Sequence, residues 1–231
     1  MGLIEDFIQE FEFQIDKLMN KEEQFWRGKF GNDYTSRNIN YVESNYQLFR
    51  KIFSYYEQLE DGSLLEHYPK SIKSIIEFGA GSGQNILALQ RMFPDAYKTV
   101  VEINDNAIDV LKHLLETNEV IQQSILDYKE NKLYDLVLSK GLLIHIHPDN
   151  INKAYEVIYN ASNKYILICE YYNPTPVEVN YRGNTAKLWK RDFCGDMLDK
   201  YTDLKLLDYG FAYHRDKYYQ DDISWFLMEK K

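Results

Sequence analysis

Hydrophobic positions in the first third of the chain recur every three or four residues, which is the period of an amphipathic helix. One predicted helix runs over residues 3–19, and a second carries apolar positions across residues 42–59. The intervening segment, residues 25–38, contains two glycines and three cations, and we interpret it as an ordered loop. The pattern therefore predicts a helical N-terminal region.

From residue 73 onward, strand-like runs alternate with helix-like runs. Predicted strands cover residues 74–78, 99–103, 120–126, 134–139 and 165–170, and predicted helices cover residues 85–93, 107–115 and 151–161. Such alternation is typical of crossover units that build a mainly parallel sheet with helices on both faces. Two further strands, 204–211 and 223–228, have no predicted helix between them and can pair as an antiparallel hairpin at the sheet edge.

This order of elements predicts the architecture of the whole chain. Five crossover strands followed by a hairpin form the seven-stranded, Rossmann-like plan of class I methyltransferases, although a fold alone does not decide function. No repeat, low-complexity tract or Pro/Gly-rich linker interrupts the 231 residues. We expect a helical cap and lid over residues 1–70 and an α/β domain over residues 71–231.

Composition narrows the classes of partner and the compartment. The net charge of −9 argues against nucleic acid and anionic membranes, although a few local cations could still hold a small anion. Cys169 and Cys194 have neither a disulfide-framework nor a metal-site spacing. No apolar stretch approaches membrane-spanning length, so we expect a cytoplasmic protein. The 20 tyrosines suit a pocket for a polar, ring-shaped ligand, or they simply lie on the surface.

The most specific chemical signal is a glycine-rich turn, Ile75-Ile76-Glu77-Phe78-Gly79-Ala80-Gly81-Ser82-Gly83, between a predicted strand and a predicted helix. Glycines allow the backbone to turn tightly and to approach a ligand closely. The helix N-terminus behind the turn favours an anionic group. A dinucleotide fingerprint would require a third glycine at position 84, where Gln84 stands.

The observed spacing, G-x-G-x-G preceded by Glu77, resembles that of methyltransferases that use S-adenosylmethionine (SAM). By that resemblance, Glu77 anchors the turn or the SAM ammonium group, and the backbone of Gly79, Ala80 and Gly81 contacts the methionine part. Glu102 ends the second strand, 23 residues after Gly79 (102 − 79). A carboxylate at this position can accept hydrogen bonds from both ribose hydroxyls. Ile103 follows it, and we expect the adenine ring beside Ser124, Ile125 and Asp127.

Several sequence blocks resemble a narrower group, the methylases associated with pseudaminic acid biosynthesis. The resemblance extends from about Gln24 to the C-terminus. Its marks are Gln24-Phe25-Trp26-Arg27-Gly28-Lys29-Phe30-Gly31-Asn32-Asp33-Tyr34, Arg37-Asn38, Lys140-Gly141-Leu142-Leu143-Ile144-His145-Ile146, Glu170-Tyr171-Tyr172-Asn173-Pro174-Thr175-Pro176, Tyr181-Arg182-Gly183, Lys190-Arg191-Asp192-Phe193 and Gln220-Asp221-Asp222. The turn Ala80-Gly81-Ser82-Gly83 is closer to the general class than to this group. The resemblance implies an amino-sugar or nucleotide-sugar acceptor.

The loop after the fourth strand of the α/β domain carries the candidate base for methyl transfer. Ser139 and Lys140 end that strand, where ligands of parallel sheets bind. His145 can take a proton at cellular pH and is the first candidate, with His147 second. Alternatively, His145 only satisfies a backbone carbonyl among packed apolar neighbours. A metal site at His145, His147 and Asp149 lacks a third convincing ligand.

Residues of the acceptor wall are expected in the loop after the fifth strand and in the lid. Tyr172, Arg182 and Arg191, together with Lys140, are the candidate substrate-binding residues, because an arginine fork fits a sugar carboxylate or a phosphate. The alternative for the cations is a solvated helix face paired with Asp192 and Asp196. In the lid, Tyr34 and Arg37 are expected to contact SAM or the acceptor.

We therefore expect a SAM-dependent methyltransferase that acts on an oxygen or nitrogen atom of a small, polar, sugar-like molecule. Two alternatives stay open within this interpretation. One is methylation of an unrelated metabolite or a protein side chain. The other is a SAM-binding scaffold protein that turns over no acceptor.

Overall fold

The computed structural model describes residues 19–37, 41–59, 64–115, 119–129 and 132–231, in which seven helices and eleven strands are present. The helices are α1 Lys21–Arg27, α2 Lys29–Arg37, α3 Val42–Phe53, α4 Gln84–Met92, α5 Asp105–Leu114, α6 Ile151–Ala161 and α7 Phe193–Lys200. The strands are β1 Tyr55–Gln58, β2 Leu64–His67, β3 Ser74–Phe78, β4 Tyr97–Glu102, β5 Glu119–Gln122, β6 Tyr134–Lys140, β7 Ser162–Glu170, β8 Val177–Glu178, β9 Trp189–Lys190, β10 Leu204–Ala212 and β11 Ile223–Lys230.

Seven of the strands form one sheet in the order β10-β11-β7-β6-β3-β4-β5. Five of them, from β7 to β5 in that order, run parallel, and β11 pairs antiparallel with both β7 and β10. The predicted Rossmann-like fold with an antiparallel hairpin at its edge is therefore confirmed. The parallel strands bring their carboxyl ends to one edge of the sheet, where ligands of this architecture bind.

Alternation along the central strands divides the core into two layers. In β6, Leu136 and Leu138 pack in one layer, whereas Val137 packs in the other. The first layer includes buried residues of α3 and α4, and the second includes buried residues of α6 and α7. Because both faces of the sheet are covered, its strands are apolar at nearly every position, as is typical of parallel sheets.

The structure departs most from the sequence predictions in three places. The segment 25–38 was expected to be a loop, but within the described residues it lies in α1 and α2. Asn20 caps α1 with a capping box, in which its side chain accepts from the Glu23 N–H and the Glu23 carboxylate accepts from the Asn20 N–H. Polar caps and short helices of this kind leave a weak periodic signal, which explains the error.

The second difference concerns the predicted helix 42–59, which ends at Phe53; β1 follows it and pairs with β2. Third, the predicted strand 120–126 ends at Gln122, and residues Ile125–Asp127 form a single 3₁₀ turn begun by Ser124. Residues 3–18 of the first predicted helix lie outside the described residues. The predicted division into 1–70 and 71–231 stays a prediction.

None of the described helices has both the length and the apolar composition needed to cross a membrane.

Asp135 connects β6 to the start of β3 at the edge opposite the ligand-binding edge. Its Oδ2 accepts hydrogen bonds from the N–H groups of Lys73 and Ser74 at 2.8 and 3.0 Å, and from the Ser74 hydroxyl at 3.1 Å. Burial opposes the charge of Asp135, but these bonds and one from Asn163 lower its pKa below the usual 3.8. A lowered folded-state pKa stabilises the fold above the unfolded-state pKa, and this stabilisation is lost as the pH falls.

We therefore expect Asp135→Ala to reduce the free energy of unfolding by about 1–3 kcal/mol at pH 7, because several charge-assisted hydrogen bonds are lost. The difference in the free energy of unfolding between the variant and the wild type should become smaller as the pH falls below 3.8. Denaturant unfolding across this pH range measures both effects. Asp199→Ala, at an exposed position of α7, is the matched control. Equal loss of stability in both variants, or a difference that is independent of pH, would contradict the assignment.

Candidate active site

A cavity of about 550 Å³ opens at the carboxyl ends of the parallel strands. The glycine turn forms one wall, and the ends of β4, β6 and β7 contribute Glu102, Lys140 and Glu170. Helices α1 and α2 close the cavity from the N-terminal side, and residues between β10 and β11 close it from the other side. The predicted ligand-binding edge and the observed cavity therefore coincide.

The glycine turn adopts left-handed backbone angles that favour glycine. Gly79, Gly81 and Gly83 have φ angles of +72°, +52° and +80°. A Cβ atom on Gly79 would approach the Leu142 side chain to 2.9 Å, so this position is also closed by packing. A Cβ atom on Gly81 would meet nothing within 4 Å, because its backbone faces open space. The Gly81 backbone is thus bare and accessible, as close contact with a ligand requires.

Glu102 fixes the second half of this wall. Its Oε2 accepts a hydrogen bond from the Gly81 N–H at 2.7 Å, and its Oε1 accepts from the N–H groups of Ile103 and Asn104 at 2.7 and 2.9 Å. Burial raises the pKa of this carboxyl, and the three hydrogen bonds oppose that effect. Three N–H donors hold the carboxylate at the cavity wall, where its remaining lone pairs can accept from ribose hydroxyls.

Glu77 lies beneath the turn instead of on the cavity wall. It is fully buried, and its Oε1 accepts a hydrogen bond from Asn85 at 2.7 Å. Burial raises its pKa to about 8. Within the described residues, its Oε2 has no hydrogen-bond partner. The arrangement places Glu77 as a support between β3 and α4.

Ser139 is also buried behind the wall. Its hydroxyl donates to Glu170 Oε1 at 3.0 Å, and the N–H groups of Leu142 and Leu143 donate to the same oxygen at 3.0 and 2.9 Å. Glu170 itself lines the cavity, and burial raises its pKa to about 7. From the sequence, Glu170 was named only as the end of the fifth crossover strand and within one block of the resemblance, and its place at a strand end was the available signal.

The two N-terminal helices are attached to the glycine-turn wall by Asn104. Its side-chain amide donates to the Trp26 carbonyl at 3.0 Å and to Asn32 Oδ1 at 2.8 Å. Its Oδ1 accepts from the Ala107 N–H and so caps α5. Asn104 follows Glu102 by two residues, so one loop binds both the turn and the lid. No local sequence pattern indicates this role.

Within the lid, Tyr34 lines the cavity, whereas Arg37 is exposed and stands 5.9 Å from the centre of the Phe30 ring. Glu23 also reaches the cavity, where it accepts a hydrogen bond from the Ser124 hydroxyl. Ile103, Ser124 and Ile125 line the same region. The expected adenine side therefore includes a lid residue, Glu23, that sequence reasoning missed.

His145 lies in the cavity wall between two aromatic rings. Its ring centre is 4.4 Å from that of Trp26 and 5.0 Å from that of Tyr181. Its Nδ1 lies 2.7 Å from the Lys187 carbonyl oxygen. A carbonyl only accepts, so Nδ1 carries the proton and Nε2 keeps a lone pair. Burial lowers the pKa of this ring to about 4. His145 is therefore a neutral, weak base. Its ring donates a hydrogen bond to the Lys187 carbonyl and also lines the cavity.

The structure places two of the four predicted substrate-binding residues in the cavity wall and two outside it. Lys140 and Arg182 line the cavity. Tyr172 and Arg191 do not: Tyr172 is 43% exposed beside Phe226, and Arg191 forms a 2.6 Å ion pair with Asp196, as the alternative interpretation expected for the cations.

Three residues outside the predicted substrate-binding set also line the cavity, namely Tyr171, Tyr181 and Asp221. Their hydroxyl and carboxylate groups make this side of the cavity polar. Tyr171 and Tyr181 follow β7, and Asp221 lies just before β11, so the loops that carry them meet only in the folded chain. The sequence blocks that contain them were the available signal.

A family comparison bears directly on this geometry. Residues 75–164 match the family described as "Methyltransferase domain", and this range includes the glycine turn, Glu102 and His145. The matched range spans 90 of the 231 residues (164 − 75 + 1). No curated protein matches the chain.

Solved structures of SAM-dependent enzymes share the fold at low identity. The plantazolicin methyltransferase BpumL in complex with S-adenosylhomocysteine (SAH) is 16% identical, with a TM-score of 0.60 and full coverage of both chains. The Synechocystis magnesium protoporphyrin IX methyltransferase with bound SAM is 12% identical, with a TM-score of 0.60 over 92% of this chain and 99% of that one. The mitomycin 7-O-methyltransferase MmcR is 11% identical, with a TM-score of 0.62; the match covers 92% of this chain and 61% of MmcR.

The chain thus shares the fold of solved methyltransferases, and the family match supports the prediction of a SAM-dependent methyltransferase with SAM as its cofactor. The cavity fits that cofactor on its own features. The bare Gly81 backbone and the Glu102 carboxylate lie on one wall, and the buried Glu77 supports the turn from beneath.

Glu102 generates the first prediction about binding. Glu102→Gln keeps an acceptor oxygen for the backbone donors but removes the charge, and we expect it to weaken SAM binding at least about tenfold. Glu102→Ala should weaken binding further. Calorimetry measures the affinity, and thermal melts establish that each variant is folded. Glu119→Gln, at the start of β5 and away from this cavity, is the control. Unchanged SAM binding by folded Glu102 variants would show that the carboxylate does not hold the ribose.

The buried ring of His145 generates a second prediction. Because burial lowers its pKa to about 4, we expect the ring to stay neutral, with its proton on Nδ1, from pH 8 to about pH 5. Nitrogen-15 chemical shifts of the histidine rings report both the charge and the tautomer, and His145→Gln identifies the signal. A His145 ring that titrates near its usual pKa of 6.5, or that carries its proton on Nε2, would contradict the geometry.

Proposed function

We propose that this chain transfers a methyl group from SAM to an oxygen or nitrogen acceptor of a small polar molecule, and that it does so in the cytoplasm. The observation that carries the proposal is the continuity of the cavity. The glycine turn and Glu102 share one volume with His145, Tyr181 and Arg182. A cofactor wall and a polar acceptor wall therefore face the same space, as direct transfer between two bound molecules requires.

On the cofactor side, eight predicted residues line the cavity and are proposed to contact SAM: Tyr34, Gly79, Ala80, Gly81, Glu102, Ile103, Ser124 and Ile125. Glu77 and Ser139 are proposed to act from behind the wall by holding the turn and Glu170 in place. Arg37 would reach the site only with a movement of its exposed side chain.

The bound cofactor supplies an electrophilic methyl group on a sulfonium with a good leaving group. The chain must then align the acceptor and exclude water. Trp26 and Tyr181 flank His145 and present apolar ring surface to the cavity. We propose that the free Nε2 lone pair of His145 accepts a hydrogen bond from the acceptor and orients it. Its role as the base stays a prediction. Burial lowers the pKa of His145 to about 4, so the neutral ring is a weak base.

For the acceptor, we propose an amino sugar or nucleotide sugar of nonulosonic (pseudaminic) acid biosynthesis. Support comes from the sequence resemblance and from the chemistry of the wall. Arg182 offers a guanidinium group for a sugar carboxylate or a phosphate, and the tyrosine hydroxyls offer partners for sugar hydroxyls. Lys140 adds an amino group on the same wall.

The alternatives are an unrelated metabolite, a protein side chain and a non-catalytic scaffold. We expect incubation with SAM and a panel of amino sugars and their nucleotide derivatives to yield a product heavier by one methylene group, detected by mass spectrometry together with SAH. His145→Ala is expected to slow this transfer while leaving SAM affinity within about threefold, because it removes an acceptor contact and not a cofactor contact. Tight SAM binding without turnover of any tested metabolite or peptide would favour the scaffold.

A further inference from the structure

The acceptor wall contains a carboxylate surrounded by tyrosines. Asp221 lines the cavity, and the Tyr171 hydroxyl donates a hydrogen bond to it. Four more tyrosines line the same cavity, namely Tyr34, Tyr41, Tyr181 and Tyr219. Burial first, with the neighbouring Asp221 carboxylate among the further causes, raises the pKa of Tyr34, Tyr41, Tyr171 and Tyr181. Asp221 is therefore close to several phenol rings at once.

The Asp221 segment is held in this position by its neighbours. Gln220 is 3% exposed, and its side chain donates to Asn45 Oδ1 on α3 at 3.1 Å. Asp222 points elsewhere, because its carboxylate accepts from the backbone N–H and the ring of His214 at 2.9 and 2.7 Å. Asp221 itself is exposed at the cavity mouth, so a ligand can reach its carboxylate. Two adjacent aspartates thus have different surroundings, and only one of them lines the cavity.

We propose that the acceptor is an amine, which Asp221 and its tyrosines bind as an ammonium ion, so that nitrogen and not oxygen receives the methyl group. This inference rests on the proposed function and specifies its acceptor. A carboxylate forms a charge-assisted hydrogen bond with an ammonium group, and the faces of tyrosine rings attract cations. A neutral hydroxyl would form a weaker hydrogen bond with the carboxylate and would gain no cation–π attraction from the rings.

The other ionisable groups of the cavity are compatible with a bound cation. Burial lowers the pKa of Lys140, and the carboxylates of Glu77, Glu170 and Asp221 oppose that effect and offset its charge. Arg182 stands over the Tyr181 ring at 5.9 Å and can take an anionic group of the same acceptor. Glu170 Oε1 already accepts three hydrogen bonds from the chain.

The bases available in the wall also favour nitrogen. A hydroxyl acceptor needs a base that removes its proton, whereas an amine is nucleophilic once its ammonium form has lost one proton. That proton leaves to water at the exposed mouth. The nitrogen lone pair then forms the N–C bond while the sulfonium S–C bond breaks. The products are an N-methylammonium ion and SAH, with one proton released.

The test compares three probes that share one ring and differ in one group: cyclohexylamine, cyclohexanol and cyclohexanecarboxylate. Their affinities are measured by ligand-detected NMR for the protein with and without SAH. We expect the amine to bind at least about tenfold more tightly than the alcohol, and the carboxylate to bind no better than the alcohol. The preference should disappear in Asp221→Asn and persist in Asp222→Asn, the adjacent matched control. Tyr171→Phe should weaken it partially.

Three results would overturn the inference: equal or tighter binding of the alcohol or carboxylate, no measurable binding of any probe, or an amine preference that survives Asp221→Asn. SAH affinity is measured separately for every variant and should stay unchanged, because Asp221 lies on the acceptor wall. If the wild type binds no SAH, the proposed methyl transfer fails, and the amine preference can still be scored without the cofactor. The two failures are thus distinguishable.

Discussion

The structure around the cavity depends on one buried carboxylate and the hydrogen bonds that it accepts from three backbone N–H groups. Glu102 connects the Gly81 N–H, at the end of the bare turn, to the N–H groups of Ile103 and Asn104. A buried charge is costly unless it is hydrogen-bonded, so the turn and the loop after β4 are held together by a strong local requirement. The same loop places Asn104 against the Trp26 carbonyl, and the lid therefore takes its position from the cofactor wall.

The lid contacts both sides of the cavity, so we expect binding of the cofactor to affect binding of the acceptor. The lid residues Trp26 and Tyr34 also face the acceptor side, where Trp26 contacts His145 and Tyr181. A ligand that fixes the position of the Glu102 loop also fixes the position of the aromatic rings around His145, because both contact α1 and α2. The proposed cofactor and acceptor sites thus share packed, hydrogen-bonded neighbours, and we expect the acceptor wall to be completed only when the lid is in place.

The parts predicted from the sequence are those with local signals. β3 and α6 have the predicted bounds because a β-branched run and a long amphipathic run are strong patterns. The glycine turn and Glu102 follow from spacing along one crossover unit. The lid helices were not predicted because short helices leave a weak periodic signal. The contacts of Asn104 and Asp221 were not predicted because they join distant segments. Arg191 shows the converse: a cation in a promising block is paired with Asp196 outside the cavity.

The most direct test of the account is a crystal structure of the protein grown with a saturating concentration of SAH. We expect the ribose hydroxyls within hydrogen-bonding distance of Glu102, the methionine part along Gly79 and Gly81, and the sulfur directed towards Lys140 and His145. Electron density for the ligand anywhere else, or a vacant cavity in crystals of protein shown to bind SAH in solution, would contradict the central claim that this turn and this carboxylate form the cofactor site.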